Sequence, residues 1–587
     1  MNGELRRPRG LRVPLALLSV LLLTVAGCAT VPEQTLPKVV NPVSGEGKEV
    51  EVPEPKSGID PLTVLREFVE ASGQPIGNHA YSRVYLGPSV RDSWHPTGNL
   101  TIIENSFNTV PADDQPDAAN ERAVLLTGTK VGKLDGSGEF IPSTSDRPLS
   151  VRVLLRRGSN GEWRIVGPPD RVITTKAQFT EYYLRVPVYF FAHTSETLVP
   201  DLRYVAMKPR KGLPGRVVDL LLDGPSDALE SAVRNPLGGK VALQSNVDTA
   251  SDGALTVPLS GVGDASKKTK KRMVAQLVNS LREVQTFQVR PLSGGDPLIS
   301  TRRTWRPSNL PAYSASSSLS SEASGVFVAD DRVFSLANGN PVPGTAGAGA
   351  YDVISAGVSL GENQLAVVEK TEEGPRLRVG PMDGELARVR MGGDSMTPPS
   401  WLPAASPDSS SQAVWTVVDG DQVVRVQRTS EGSWTPQKVD ADALTDIGDV
   451  SQLRLSRDGS RVAAVAGGKL VVAAIVRDTN EVELRAPRVL RQGQLDEVKD
   501  VAWATQYRLV AATADPDKPV VRLPVDGLRL DTYDTANLVL PVRAVAAAPS
   551  RAVIAADQRG MSTVSSSNSP WRPHQQSRKD ALPFYPG

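Results

Sequence analysis

From Ser314 onward the chain repeats itself, and a repeat narrows the choice of fold more than any composition does. Short apolar strands begin near Val326, Leu365, Ala413, Val462, Leu509 and Val553, at intervals of 39, 48, 49, 47 and 44 residues. Most are followed by a partner strand, such as Arg376 to Val379 or Val520 to Leu523, that runs into an Asp-Gly turn. Several are preceded by another strand, as at Leu453 and Val501. Several strands in a unit of about 40 to 50 residues mark a β-propeller. Sandwich strands recur every 8 to 12 residues or so with no longer period, so a sandwich fits poorly. The absence of Trp-Asp dipeptides separates this repeat from WD-type blades. The pattern predicts about six blades over residues 314–565 and a polar tail over 566–587. Closure removes exposed strand edges, and the stretch before Val326 is the candidate closing strand.

The other end of the chain says where it works. Arg6, Arg7, Arg9 and Arg12 precede an apolar run from Val13 to Val25, which leads into Ala26-Gly27-Cys28. Basic residues, a short apolar stretch and small residues make a secretory signal, residues 1–27, too short for an ordinary spanning helix. Cys28 is the only cysteine in 587 residues. Its place after Val-Ala-Gly resembles a bacterial lipobox, which implies a diacylglyceryl and N-acyl anchor on Cys28 and an extracytoplasmic protein at the cell membrane. Residues 28–58 carry five prolines interleaved with charge and no aromatic residue, so they read as a tether of about 30 Å root-mean-square span.

Two domains are expected between tether and propeller. Residues 59–185 open with Asp60-Pro61 and an amphipathic helix (Leu62, Leu65, Phe68, Val69), then strands at Leu100, Ala123 and Val151 and a hairpin into Trp163. One helix against a curved sheet resembles the cones of nuclear-transport-factor-like domains. Residues 186–297 run from the strands of Val186 to Phe191 and Leu198 to Val205, through a helix ending Leu220-Leu-Leu-Asp-Gly-Pro225, to the strand Leu255-Thr-Val-Pro-Leu-Ser260. A helix with an apolar face of Val274, Leu277, Val278, Leu281 and Val284 follows, then a strand at Phe287 to Arg290. This order resembles the GerMN domain of sporulation and envelope lipoproteins. It departs at Val257-Pro258, where an acidic residue is expected, and at Asn235-Pro236, where an apolar residue commonly precedes the proline. The fold class is thus multi-domain and mainly β, with two α+β domains before the propeller.

Chemistry is sparse. Net charge is +1, with 66 Lys+Arg against 65 Asp+Glu, so no global attraction to nucleic acid exists. One cysteine excludes an internal disulfide, and His79, His95, His193 and His574 lie too far apart for ligand spacing. Lys267, Lys268, Lys270, Lys271 and Arg272 crowd a helix start, where the macrodipole disfavours them; they are either a solvated helix end or a contact patch for an acidic partner or phosphate-rich polymer. Gly261-Val-Gly263 looks like part of a dinucleotide fingerprint, but no parallel βαβ series is evident around it. Gly393-Asp394-Ser395-Met396 looks like a lipase nucleophile block without its Asp-x-x-His partner, and a propeller turn accounts for it better. No catalytic residue, metal or cofactor is assigned.

Lipobox, tether, α+β domain, GerMN-like domain and propeller, in this order, are similar to the LpqB family of actinobacterial lipoproteins. The resemblance covers nearly the whole mature chain. It implies a non-enzymatic accessory of the Mtr-type two-component sensor kinase, met on the extracytoplasmic side, in envelope and division control. The alternatives are an envelope-glycan-binding scaffold holding cell-wall polymer and a hydrolase with paired carboxylates in a propeller cleft.

Overall fold

The computed structural model describes residues 52–587 except 97–98, 146, 194, 285–287, 314–323, 405–409 and 479–480. Asp60 starts the first helix, α1 (Pro61–Ala71), by accepting the free N–H groups of Leu62 and Thr63 at 2.9 and 3.2 Å. The face Val64, Leu65, Phe68, Val69 is buried. It packs on a six-stranded sheet of β1 (Leu100–Pro111), β2 (Glu121–Leu134), β3 (Phe140–Pro142), β4 (Leu149–Arg157), β5 (Trp163–Gly167) and β6 (Ile173–Thr175). The order is β5-β4-β2-β1-β6, antiparallel except for β1 with β6. A short helix, α2 (Lys176–Tyr182), leads directly into the second domain.

That domain is built on a long hairpin, β7 (Tyr183–Ala192) with β8 (Leu198–Ala206), whose residues are nearly all buried. Strand β9 (Val233–Arg234) extends it. A second sheet holds β10 (Ala242–Leu243), β11 (Asp248–Thr249), β12 (Leu255–Ser260), β13 (Val289–Ser293) and β14 (Asp296–Pro297). Helices α3 (Leu213–Asp223) and α4 (Lys267–Ser280) pack against β7, and α4 is the crossover between β12 and β13, which pair in parallel. One parallel βαβ unit therefore surrounds Gly261, and it stands alone rather than in a series. The pairing was hidden because β12 and β13 are only six and five residues long.

Among the described residues the propeller has six blades. Blade 2 comprises Val353–Val358, Gln364–Glu369, Arg376–Pro381 and Ala387–Arg388; blade 3, Ser400–Trp401, Ala413–Val418, Gln422–Arg428 and Trp434–Lys438. Blade 4 comprises Val450–Leu455, Arg461–Ala466, Lys469–Asp478 and Glu481–Val489; blade 5, Val498–Thr505, Arg508–Thr513, Val520–Pro524 and Asp531–Thr532. Blade 6 comprises Ala544–Ala546, Val553–Asp557, Gly560–Val564 and Arg572–Pro573. Blade 1 joins Val326–Ala329 and Arg332–Ser335 to Leu582–Phe584 from the far end of the chain.

The last strand corrects two expectations. Residues 566–587 are not a polar tail: Trp571 and Ala581 are buried, and Leu582–Phe584 pairs with Val326–Val328. Blade 1 is completed by this strand rather than by the stretch before Val326, of which 314–323 lie outside the described residues. Three strand residues amid Ser, Arg and Pro carry no readable alternation, and their partner lies at the opposite end of the domain. The strand touches blades 2 and 6 as well, which closes the ring.

Candidate functional site

The basic helix start sits where Ser266 caps α4 by accepting Thr269 N–H at 3.1 Å. Glu196, in the β7–β8 turn, binds two of the five cations: Arg272 donates to both of its oxygens, and Lys268 Nζ lies 3.1 Å away. The Arg272 hydrogen bonds, with those of Lys268, hold the Glu196 carboxyl down at about 2. This carboxylate also offsets the unfavourable meeting of cations with the helix N-terminus. Lys267 and Lys271 are exposed and have no ion pair among the described residues, and Lys270 is half-buried. The free cationic surface is thus smaller than five residues in a row suggest. Glu196 is the residue sequence reasoning missed, because its partners lie some seventy residues away. Cys28 lies outside the described residues.

Below its first turn α4 is buried on more than its apolar face. Gln276 donates to Tyr189 O and Asn235 Oδ1 at 2.9 and 3.0 Å, and Ser280 Oγ accepts Tyr189 N–H at 2.9 Å. Asn235 also donates to Leu221 O, so the departure from an apolar residue before Pro236 is a polar tie between α3, α4 and β7.

The motifs that look like chemistry resolve into turns. Ser395 and Asp394 give their N–H groups to Asp419 Oδ1 at 2.9 and 2.7 Å, and Asp419 N–H returns to Ser395 O, between blade 2 and blade 3. His574 Nδ1 accepts Gln576 N–H in a blade 6 turn, and His95 bonds Ser93 O on the surface. Gly261 is needed by its backbone: φ is +72° and a Cβ would stand 1.9 Å from Lys240 O. Among the described residues no group of three or more His, Cys, Asp or Glu side chains could hold a metal ion.

A cluster of buried charge lies where the three domains meet. Arg203 in β8 binds Asp201, Ser137 O and Gly224 O, while Ser226 N–H and Oγ complete the Asp201 carboxylate. Glu139 pairs with Arg488 of blade 4 at 2.6 Å, and Tyr204 OH donates to Asp526 of blade 5 at 2.8 Å. Burial pushes the Glu139 and Asp526 carboxyls up, against the pull of Arg488 and of the bonds to Asp526. Arg461 and Gln506, from blades 4 and 5, donate to Pro200 O and Leu198 O. Gly138 lets β8 come close: its φ is +78°, its O accepts Tyr204 N–H at 2.7 Å, and a Cβ would press on Tyr204 O. Tyr204 and Leu528 are part of the first domain's apolar core. On the propeller axis, Arg457 is buried and donates to Trp503 O and Pro586 O, so the C-terminal segment lies against the central channel.

Comparison with known proteins agrees with this architecture. Residues 54–180 match the model for the lipoprotein LpqB N-terminal domain, 187–298 that for sporulation and spore germination, and 331–586 that for the lipoprotein LpqB beta-propeller domain. Lipoprotein LpqB of Rhodococcus jostii (strain RHA1) is 30% identical over 567 residues, covering 92% of this chain and 91% of that one. The chain belongs to the lipoprotein LpqB family. The Mycolicibacterium smegmatis protein is also 30% identical, over 94% of this chain and 95% of that one. The Mycobacterium tuberculosis protein is 29% identical over 93% and 94%. This LpqB-family chain is a lipid-anchored envelope lipoprotein with a β-propeller domain. Among the described residues no helix is long and apolar enough to cross a membrane.

Proposed function

We propose that this lipoprotein acts by contact rather than turnover, as an accessory modulator of an Mtr-type two-component sensor kinase in cell-envelope and division control. In this reading Cys28 carries the acyl chains, and the three domains meet the kinase on the extracytoplasmic face. The observation that supports it is the junction: Arg203, Arg488 and Asp526 tie three domains into one joined surface. A pre-organised surface loses little conformational freedom on binding. Confinement to the kinase's membrane raises effective concentration, so a weak contact is enough. Lys267 and Lys271, exposed beside the Glu196 cluster, are the side chains proposed to meet an acidic partner surface.

The test is crosslinking in intact cells with identification of the captured protein, combined with kinase output in a deletion strain. A soluble Cys28→Ser form carrying a cleavable signal is expected to restore output poorly. Lys267→Glu with Lys271→Glu is expected to reduce capture several-fold. Full restoration by the soluble form, with no kinase captured, would overturn the reading in favour of the glycan-binding scaffold, and unmodified Cys28 in the mature protein would remove its anchor.

A further inference from the structure

A polar groove of about 810 Å³ opens where the outer parts of blades 3 and 4 meet the β7–β8 turn at His193. Its floor is cationic and incompletely bonded. Arg425 stands opposite Gln437 on the neighbouring strand of blade 3 and two residues from Gln427, so all three side chains share one face. Its Nη2 donates to the Oε1 atoms of Gln427 and Gln437, which leaves the glutamine amide N–H groups as donors. Arg425 Nε is buried with no acceptor, and so is Arg477 Nη2, from the third strand of blade 4. Trp415, directly across from Arg425 on the same face, keeps a buried Nε1 without a partner as well.

Both guanidiniums are half-buried, and holding two of them together partly withdrawn from water is costly unless an anion or several waters complete their unpaired N–H groups. Burial, with Arg425 nearby, pushes the Arg477 guanidinium down to about 10, while Asp458 supports its charge. Burial and the fields of Arg234 and Arg477 likewise push the His193 imidazole down. Arg428 is exposed on the rim, where Asp478 and Glu481 also lie. Guanidinium forks match the paired oxygens of a phosphate, and the groove has room for a sugar-sized group attached to one.

We propose that this groove is a phosphate-binding site, taking a phosphate-bearing sugar or lipid headgroup on Arg425 and Arg477. The inference is independent of the kinase contact, and a failure of either leaves the other standing.

The probe is glucose 1-phosphate, titrated calorimetrically into the full lipidated chain held in phosphatidylcholine nanodiscs, with glucose as the uncharged control. Saturable binding of the phosphate but not of glucose is expected. Arg425→Gln with Arg477→Gln should weaken it at least tenfold, whereas Arg572→Gln, exposed on blade 6, should leave it within twofold. Should the double variant fail to fold, Arg428→Gln on the rim decides, with an expected loss of threefold or more at unchanged melting temperature. Repeating the titration in discs containing phosphatidylglycerol separates the sources: a bilayer ligand competes and lowers the apparent affinity several-fold, and a soluble ligand leaves it unchanged. No saturable binding by the wild-type chain, or equal binding by the variants, would overturn the proposal and leave a water-filled groove.

Discussion

Glu196 decides what the basic helix start presents, because one carboxylate in a turn pairs with both Arg272 and Lys268 and leaves Lys267 and Lys271 outward. Its carboxyl ionises at about 2 in the folded chain and near 4.5 when unpaired, so the folded pKa is depressed. The stability it contributes is present above about pH 4.5 and disappears as pH falls toward 2. The pair is partly exposed, so screening limits that contribution to under about 1 kcal/mol. Glu196→Gln is therefore expected to lower the melting temperature slightly at pH 7, with the gap to wild type closing below pH 4.5. A gap that persisted at pH 2 would show that the ion pair is not its source.

The decisive element is the strand Leu582–Phe584. Successive antiparallel strands alternate direction, so the turns after strands 1 and 3 of every blade lie on one propeller face. That face of blades 4 and 5 receives the β7–β8 hairpin through Arg461, Gln506 and Asp526. The same face holds the phosphate groove between blades 3 and 4. Losing residues 581–587 would open blade 1, leave Val326–Ala329 without an inner neighbour and remove Phe584 from a packed cluster. Truncation after Asp580 should cost at least about 3 kcal/mol, comparable to deleting one large core side chain, and should expose strand edges to aggregation. Urea unfolding of the truncated chain at an unchanged midpoint would contradict closure by this strand.

At the scale of the whole molecule, the domains behave as one head because their contacts are buried and charged rather than peripheral. Arg488→Leu would strand Glu139 in the junction, and losing one partner of a buried pair costs about 3 to 5 kcal/mol. The expected result is faster hydrogen exchange in the hairpin Tyr183–Ala206, with protection in blades 2, 3 and 6 retained. Changing Glu139→Leu together with Arg488→Leu should recover most of the loss, because an apolar pair of similar size needs no partner. Uniform loss of protection throughout the chain would mean that the junction is not a separable unit.

Periodicity alone determined the mainly β class and the six blades, because blade strands such as Gln364–Glu369 and Arg461–Ala466 are buried on both faces and are apolar through their centres. Local chemistry determined α1, where Asp60 before Pro61 is both cap and first-turn signal, and the amphipathic stripe of α4. The basic cluster was legible as residues but not as a surface, since its electrostatics depend on Glu196, which only folding brings near. Gln276 and Ser280 are buried and Asn235 is half-buried, and each has a backbone or amide partner that sequence does not reveal. Tertiary structure alone decided the closing strand, the parallel pairing of β12 with β13, the ionic junction and the Arg425–Arg477 groove. Each joins segments that carry no mutual signal along the chain, since strand pairing and charge complementarity are set by distance in space.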